Sequence, residues 1–278
     1  MIGVLRRITS EPLGVMGLFL VALMVISAVL ANFVAPYNPI ELNVIDRLQG
    51  PSASHLLGTD QLGRDLFSRV LYGGQVALKV ALITIGAALC IGVFLGMVAG
   101  FGPRWLDNII MLFFDTIRSF PTVMFALATV ALVGPSLTTV IAVIVVTTIP
   151  NYGRVARTQT LSIKSNEFIK AEHAVGASMF RILGVHVLPN MMGPLMILAS
   201  MDIPTVIALE AGLSFLGMGV KPPTPSWGSI LNDGYTLIRN TPWPIIAGSI
   251  PLLLVTLGFT FLGESLRDLI DPRLRKSV

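Results

Sequence analysis

Residues 80–103 read VALITIGAALCIGVFLGMVAGFGP, without a single charged side chain. A helix that crosses a bilayer needs roughly 20 apolar residues, and this stretch is long enough to provide them. In lipid, an α-helix satisfies its own backbone hydrogen bonds. A strand of a transmembrane β-barrel would instead alternate apolar and polar residues over roughly 10 positions. The stretch therefore predicts a membrane-spanning helix.

The whole chain has the composition of a membrane protein. Of its 278 residues, 54% are hydrophobic and 12% are charged, and the mean hydropathy is +0.80. A soluble domain carries about 25% charged residues, so lipid is the expected solvent for much of this chain. The net charge of +4 does not indicate nucleic-acid binding, because the basic residues are not clustered on an aromatic-laced face. Cys90 is the only cysteine, which excludes an intrachain disulfide and a cysteine-cluster metal site.

Apolar windows elsewhere in the chain predict five more spans. A turn at Gly134-Pro135 divides one long uncharged region into two of them. The first span exceeds the roughly 7–15 apolar residues of a signal peptide, which indicates an uncleaved anchor. The predicted fold class is an all-α, polytopic membrane protein with six transmembrane helices, at residues 13–34, 78–101, 107–133, 136–153, 192–213 and 243–263.

The distribution of Lys and Arg predicts how the chain is oriented. With six spans both termini lie on one side, and most basic residues fall in the segments on that side. By the positive-inside rule that side is the cytoplasm. The expected divisions are a cytoplasmic N-terminus at 1–12, the first span at 13–34, an extracytoplasmic region at 35–77, a core at 78–263 that includes a cytoplasmic loop at 154–190, and a cytoplasmic tail at 264–278.

The cytoplasmic loop contains a half-polar stretch, EFIKAEHAVGASMFRILGVHVLPN, that starts at Glu167. Apolar residues before and after Gly176 follow helical spacing, so we expect two short amphipathic helices. Gly176 can take the left-handed backbone that ends one helix and redirects the next. Pro189 predicts a further boundary, because the residue before a proline disfavours helix. The stretch is either a connector that lies on lipid headgroups or a knob that docks into a partner protein.

The spacing of Ala171, Gly176 and His186-Val187-Leu188-Pro189 resembles the "EAA" loop of ABC-importer permeases. This chain has Lys170 where the pattern has Glu, Glu172 where it has the second Ala, and His186 where it has Ile. In that family the loop forms the coupling helix that contacts the ATPase subunit. The resemblance implies such contacts for Lys170, Ala171, Glu172, His173, Gly176, Arg181, His186, Leu188 and Pro189.

Three further segments resemble the C-type permeases of dipeptide, oligopeptide and nickel importers. They are HLLGTDQLGRDLFSRVLYGG at 55–74, LEAGLSFLGMGVKPPTPSWGSILNDG at 209–234 and ESLRDLIDPRLRK at 264–276. The resemblance implies a type I ABC importer permease fold in a bacterial inner membrane. It implies as partners a second homologous permease, two ATP-binding subunits or domains and an extracytoplasmic substrate-binding protein. The expected cargo is a di- or oligopeptide, with nickel or a metal chelate as the alternative.

The chain has no ATPase motif of its own. A Walker cradle ends in Gly-Lys-Ser/Thr, and none of the five lysines follows a glycine. We therefore expect no cofactor in this chain, with ATP and Mg bound by partner subunits. The three histidines lack ligand spacing, and neither HExxH nor GxSxG occurs, so we predict no catalytic residue and no metal site. An ATP-independent channel or carrier and an intramembrane enzyme are the other function classes, and neither would need a nucleotide-binding subunit.

Three glycines repeat every four residues in the second predicted span, at Gly92, Gly96 and Gly100. Such a stripe lets another helix backbone approach closely. We expect close helix packing there, and the alternative is a smooth surface on which helices slide during gating.

Two pairs of charged residues fall within predicted spans. Asp115 and Arg118 are three residues apart, so they can pair with each other, and Pro121 should kink or interrupt the helix that follows. The pair either lets the helix begin below the membrane surface or lines the inner mouth of a pathway. Asp202 and Glu210 have no basic residue in their span, and such charges face a protein interior or a water-filled cavity. We expect a pathway or subunit-interface position for both.

The predicted extracytoplasmic region carries charges of alternating sign at Asp60, Arg64, Asp65 and Arg69, among apolar residues. This pattern predicts an amphipathic helix on the outer surface, capped by Thr59 or Asp60. The loop at 214–242 is stiffened by prolines, and its Trp227 suits a membrane interface. Both segments could contact a substrate-binding protein or form an interfacial lid.

Overall fold

The computed structural model describes residues 11–270, apart from the side chains of His173 and of residues 268–270. Across that range the regular structure is helical, as predicted, and one isolated bridge joins the backbones of Thr59 and Asp65. The α-helices, numbered α1 to α11 in chain order, are Pro12–Val29, Ala31–Val34, Leu66–Phe101, Arg104–Arg118, Thr122–Val133, Leu137–Lys164, Glu167–Ala174, Met179–Arg181, Leu188–Phe215, Trp227–Thr236 and Trp243–Ile270. The expectations for residues 1–10 and 271–278 lie outside the described residues.

Five helical stretches within residues 11–270 are long and apolar enough to cross a membrane, or six if the bent pair α4–α5 counts as one span. The bend between α4 and α5 is 83°. It falls at residues 119–121, where Pro121 has no N–H to donate and restricts Phe120 before it. The predicted interruption at Pro121 is therefore present, and it divides the third span into two half-length helices.

Two spans are longer than predicted. Helix α3 begins at Leu66 rather than at residue 78, because the Asp65 carboxylate accepts a hydrogen bond from Ser68 N and caps the helix there. Helix α6 continues to Lys164 rather than ending at residue 153. Both extensions project beyond the apolar windows, so hydropathy alone could not locate these ends.

The centre of the fold is the contact between α3 and α6, and the glycine stripe creates it. A Cβ added at Gly92 would lie 2.8 Å from the Ile149 carbonyl oxygen, and one at Gly96 would lie 2.3 Å from that of Gly153. One at Gly100 would lie 2.8 Å from Thr160 Cβ. The stripe thus packs against a helix of the same chain, as the close-packing prediction states.

The first and last spans also pack closely against each other. A Cβ on Gly17 of α1 would lie 2.7 Å from Leu262 N of α11, and one on Gly258 would lie 2.9 Å from Leu20 Cβ. Met24 and Phe259 are buried in the same apolar cluster, together with Leu66 and Trp227. The N-terminal span is therefore part of the folded bundle.

Two surfaces lie at opposite ends of the long helices. The elbow, residues 165–187, follows the end of α6, and the cap consists of residues 35–65 and 216–242. The elbow end of α6 lies beside the end of α3, because Lys164 Nζ donates to the Phe101 carbonyl at 3.1 Å. The cap closes over the start of α3, where Trp227 Nε1 donates to the Val70 carbonyl at 2.9 Å.

The predicted amphipathic helix in the 35–77 region was wrong. Residues 60–65 form a tight turn, and residues from 66 onward belong to the span α3. The Asp60 carboxylate accepts hydrogen bonds from the backbone N–H groups of Leu62 and Arg64, at 2.8 and 3.0 Å. Such side-chain bonds compete with helix formation, and Gly63 turns the chain with φ +74°.

Candidate coupling and pathway sites

The elbow turns sharply at Gly176. Helix α7 (Glu167–Ala174) ends before it, and α8 (Met179–Arg181) begins after it with Ser178 as N-cap. Gly176 has φ +82°, and no described atom would lie within 4 Å of a Cβ added there. The left-handed backbone, and not crowding, therefore requires glycine at this position. The predicted redirection of the chain at Gly176 is present.

The second half of the predicted loop is continuous helix. A π-helical turn at Ile182–Val187 joins α8 to α9, and Pro189 lies in the first turn of α9. The boundary predicted at Pro189 was therefore wrong: the wider π turn passes the proline without ending the helix. Within the predicted cytoplasmic loop, 154–190, the first eleven residues continue α6 as far as Lys164.

The elbow is anchored by one apolar face and exposes another. Ile169 and Ile182 are fully buried, whereas Phe180 and Val175 are each 87% exposed and Phe168 is 45% exposed. Exposed apolar groups of this size mark a surface that contacts another protein or lipid. A cavity of about 540 Å³ beside them is lined by Phe168, Ala171, Glu172, Val175, Gly176, Ala177 and Arg181. Phe180 and Val175 were absent from the predicted contacts, although large apolar residues in a half-polar stretch were a signal for them.

The polar residues of the elbow mainly bind one another. Lys170 Nζ donates to Glu167 at 2.7 Å, and His186 Nε2 lies 3.4 Å from Glu172. The Phe168 and His186 rings are 5.9 Å apart, edge to face. Leu188 is half-buried at the start of α9. His173 is among the predicted contacts, and its side chain lies outside the described residues.

A ladder of polar contacts joins α4 to α6. Arg157 donates to Asp107 at 2.5 and 2.6 Å. Further along the two helices, Arg154 pairs with Asp115, and Arg118 donates to Asn151. The predicted pair between Asp115 and Arg118 was wrong, because α6 offers each of them a partner across the helix interface.

Asp202 and Glu210 both lie on α9, but in different surroundings. Asp202 interacts with the Tyr152 hydroxyl of α6, yet Asp202 Oδ2 and Tyr152 Oη are buried without a hydrogen-bond partner of standard geometry among the described residues. Glu210 is 1% exposed and accepts a hydrogen bond from Ser214 Oγ at 2.6 Å. The structure thus places Glu210 inside its own chain, and not on a surface that faces a pathway or a second subunit.

The alternating charges of the cap form a buried network. Arg64 Nε donates to Asp60 at 2.6 Å, and Arg64 Nη2 lies 3.4 Å from Asp233 of α10. Arg69 lies 3.5 Å from Asp60 and 3.6 Å from Asp233. Burial raises the pKa of Asp233, against the attraction of Arg69 and Arg64, which lowers it. The network joins the cap segments to α3. The prediction of a surface helix missed it, because charges of alternating sign along the chain do not show that they are buried together.

A second buried polar group lies beside this network. His55 Nδ1 is 2.9 Å from Asp65, and Ser68 Oγ donates to the same carboxylate at 2.7 Å. The Tyr37 ring lies 4.8 Å from the His55 ring, centroid to centroid. The carboxylate that caps α3 therefore also holds the segment around His55 in place.

The sequence matches two families of membrane transport proteins. Residues 92–276 match the model of the binding-protein-dependent transport system inner membrane component. The chain belongs to this family. Residues 2–51 match the N-terminal transmembrane domain of oligopeptide transport permease C. The protein is thus a permease subunit of an ATP-binding-cassette importer, a multi-pass inner-membrane protein that works with ATPase and substrate-binding components.

Several curated relatives are similar along nearly the whole chain. A dipeptide transport system permease, DppC of Alkalihalophilus pseudofirmus, is 36% identical over 97% of this chain and 89% of its own. A glutathione transport permease, GsiD of Pectobacterium atrosepticum, is 35% identical over 97% of this chain and 90% of its own. A di/tripeptide permease, DppC of Pseudomonas aeruginosa, is 36% identical over 94% of this chain and 88% of its own.

Two solved structures of an ABC transporter have the same fold as this chain. An inward-facing crystal structure of the MetNI methionine ABC transporter superimposes with a TM-score of 0.57, covering 71% of this chain and 94% of that one. A second crystal form of the same transporter gives a TM-score of 0.56. The sequence identities are 18% and 19%, so the likeness establishes the permease fold and nothing about the cargo.

Proposed function

We propose that this importer carries short peptides, of the size of dipeptides, tripeptides or glutathione. The three curated relatives described above carry dipeptide, di/tripeptide and glutathione transport in their names. The match extends through the cap, where cargo would arrive. We retain nickel or a metal chelate as the second candidate, on the resemblance of residues 55–74 and 209–234 to the peptide/nickel permeases.

Energy for transport would enter through the elbow. The supporting observation is that Phe180 and Val175 are exposed on a segment whose other face is anchored by Ile169 and Ile182. Covering Phe180 and Val175 with an ATPase subunit would stabilise the complex by about 25 cal/mol for each Å² of apolar surface removed from water. In this proposal the chain is not itself an enzyme: it pairs with a second homologous permease, and two ATP-binding subunits hold ATP and Mg.

The proposed elbow contact consists of the apolar pair together with the residues that the family resemblance implies. These are Lys170, Ala171, Glu172, His173, Gly176, Arg181, His186, Leu188 and Pro189. Movement at the elbow would reach the spans directly, because α8, the π turn and α9 form one continuous helical path. The Lys164 contact with the Phe101 carbonyl and ring offers a second route, into α3.

The proposed pathway runs along the polar ladder. Asp115 is exposed and paired with Arg154, next to the break in the third span at residues 119–121. Arg118 lies directly before that break and is partnered by the half-buried Asn151. These alternating charges could meet the terminal ammonium and carboxylate of a peptide in turn. Asp202, beside Tyr152, would act deeper in the bundle.

In the proposed orientation the elbow and both termini face the cytoplasm, and the cap faces the extracytoplasmic binding protein. The support is the enrichment of Lys and Arg in the segments at the elbow end. A single cysteine introduced at Ser165, after Cys90→Ala, should react only with reagents that reach the cytoplasm. One introduced at Asn43 in the cap should react only from outside, and the reverse pattern would refute this orientation.

The experiment that tests the function uses the complete importer in proteoliposomes, with its binding protein and ATPase subunits. We expect ATP-dependent uptake of labelled dialanine, which unlabelled di- and tripeptides suppress and nickel chelates do not. Phe180→Ala should lower uptake and the associated ATP hydrolysis, while Phe94→Ala, at an exposed apolar position of α3, serves as the matched control. Uptake of a nickel chelate without peptide uptake would overturn the peptide assignment.

A further inference from the structure

A small cavity lies where the cap meets the start of α3, and its chemistry differs from that of the pathway. Its volume is about 250 Å³. This is smaller than the 300–1,000 Å³ of typical drug-sized ligand pockets, so it suits one chemical group or residue rather than a whole peptide. Its walls combine the turn at Gln61 and Leu62, the loop from Gly217 to Thr224, and the polar face of α10 at Ser229, Asn232 and Asp233.

The charged groups that line this cap cavity have a positive surplus. Arg64, Arg69 and Lys221 face it, against the single carboxylate of Asp233. Asp60 lies behind the two arginines and is 1% exposed. Even with Asp60 included, the positive groups outnumber the negative ones. A ligand that balances this charge must be an anion.

Arg69 is the least satisfied of these cations. It is 2% exposed, and its Nε and Nη1 have no hydrogen-bond partner among the described residues. Its two carboxylate neighbours lie at 3.5 and 3.6 Å, beyond the 2.7–2.9 Å of a charge-assisted hydrogen bond. Arg64, by contrast, donates to Asp60 at 2.6 Å. A buried guanidinium with free donors favours a ligand that accepts from it.

We propose that the cap cavity binds the carboxylate of a short peptide, with Arg69 as the principal donor. A guanidinium presents its N–H groups as a planar fork that matches a carboxylate. Lys221 is exposed at the rim, where its charge attracts the carboxylate before it enters. The proposal rests on the proposed peptide cargo, and it gives the cap a binding site of its own, separate from the polar ladder between α4 and α6.

The test measures equilibrium binding of labelled dialanine to the purified importer in nanodiscs, without the binding protein. Dialanine should bind, acetate should compete with it, and dialanine amide, which lacks the terminal carboxylate, should bind roughly 10- to 100-fold more weakly, the range expected for lost hydrogen bonds to charged groups. Lys221→Met should weaken dialanine binding several-fold. Arg47→Gln, at an exposed cap residue outside the cavity, is the matched control and should change nothing.

Arg69→Lys keeps the charge but loses the fork, and it should weaken dialanine binding by about tenfold or more. Should that variant fail to fold, Lys221→Met decides the matter alone. Equal binding of dialanine and its amide would overturn the proposal, and so would competition by chloride or phosphate as strong as that by acetate at matched ionic strength. So would unchanged binding in Lys221→Met. If any of these three outcomes is found while the complete importer still takes up dialanine, the proposed cap site is wrong and the proposed peptide cargo is unaffected.

Discussion

The cap and the elbow differ in which side chains they bury: the cap buries charged groups, and the elbow exposes apolar ones. In the cap, the charges of Asp60, Arg64 and Asp65 are buried and bonded within the chain. In the elbow, the apolar rings and methyl groups of Phe180 and Val175 lie exposed. A buried charge network that satisfies itself fixes one geometry, whereas an exposed apolar surface is complete only against a partner. The cap therefore fixes its own geometry, apart from the free donors of Arg69, whereas the elbow exposes the apolar surface that we propose as one half of an interface.

The largest expected effect comes from opening the cap network. Asp60→Asn removes the carboxylate that faces Arg64 and Arg69, leaving two buried guanidinium groups with one fewer anion. Breaking a buried pair by removing one partner costs about 3–5 kcal/mol. We expect a large loss of folded protein in detergent, measured by thermal unfolding. Glu41→Gln, at an exposed cap position, should stay within about 0.5 kcal/mol, and similar losses in both variants would contradict the contrast.

Next in size is the removal of the exposed ring from the elbow. Phe180→Ala should leave the unfolding temperature of the isolated permease unchanged, because the ring is 87% exposed. It should weaken association with the ATPase subunits by about 2 kcal/mol, or roughly 30-fold, if the ring is a hot spot. Surface-plasmon-resonance titration of the ATPase measures this directly. An unchanged affinity would contradict the proposed role of Phe180 in the ATPase contact.

A smaller effect is expected from the turn that shapes the elbow. Gly176→Ala adds a methyl group into open space but strains the left-handed backbone by about 1–2 kcal/mol. We expect a several-fold decrease in uptake per ATP hydrolysed, measured in proteoliposomes. Gly184→Ala is the matched control, since its Cβ would also meet no described atom and its backbone does not have positive φ. If both variants behave alike, the turn geometry does not matter for coupling.

The smallest effect should follow from the ion pair on the elbow surface. Lys170→Ala removes the contact with Glu167. The side chain of Lys170 is 62% exposed and that of Glu167 is 88% exposed. Exposed pairs contribute about 0–1 kcal/mol, so the unfolding temperature should barely change. A loss as large as that in Asp60→Asn would show that the elbow, too, depends on internal charges for its fold.

Local sequence patterns were sufficient for the spans and for the two sharp turns. The uncharged stretch at 80–103, the left-handed position of Gly176 and the break at Pro121 each depend on neighbouring residues only, so they could be predicted. The glycine stripe also predicted close packing, although not that α6 would be its partner. Each of these features is a property of a few consecutive residues, which is why a single sequence reveals it.

The predictions that were wrong have a different cause: the residue that pairs with each charged side chain lies far away in the sequence. Asp115 pairs with Arg154, and Arg118 with Asn151, because α4 lies against α6. Asp233 meets Arg64 across the cap, far from it in sequence. Charges of alternating sign are compatible both with a solvated helix and with a buried network. Only the three-dimensional arrangement decides between the two.

The length of α3 has a mechanical consequence. Its 36 residues extend over about 54 Å at 1.5 Å per residue, well beyond the roughly 30 Å of a hydrocarbon core. One end carries Arg69 below the cap, and the other carries Phe101, which Lys164 holds. A single stiff rod therefore reaches across the bilayer, and tilting it by about 5° would displace one end by roughly 5 Å relative to the other. A displacement of the Phe101 end of α3 would therefore move the cap at the opposite end, without any rearrangement of the side-chain contacts between the two ends.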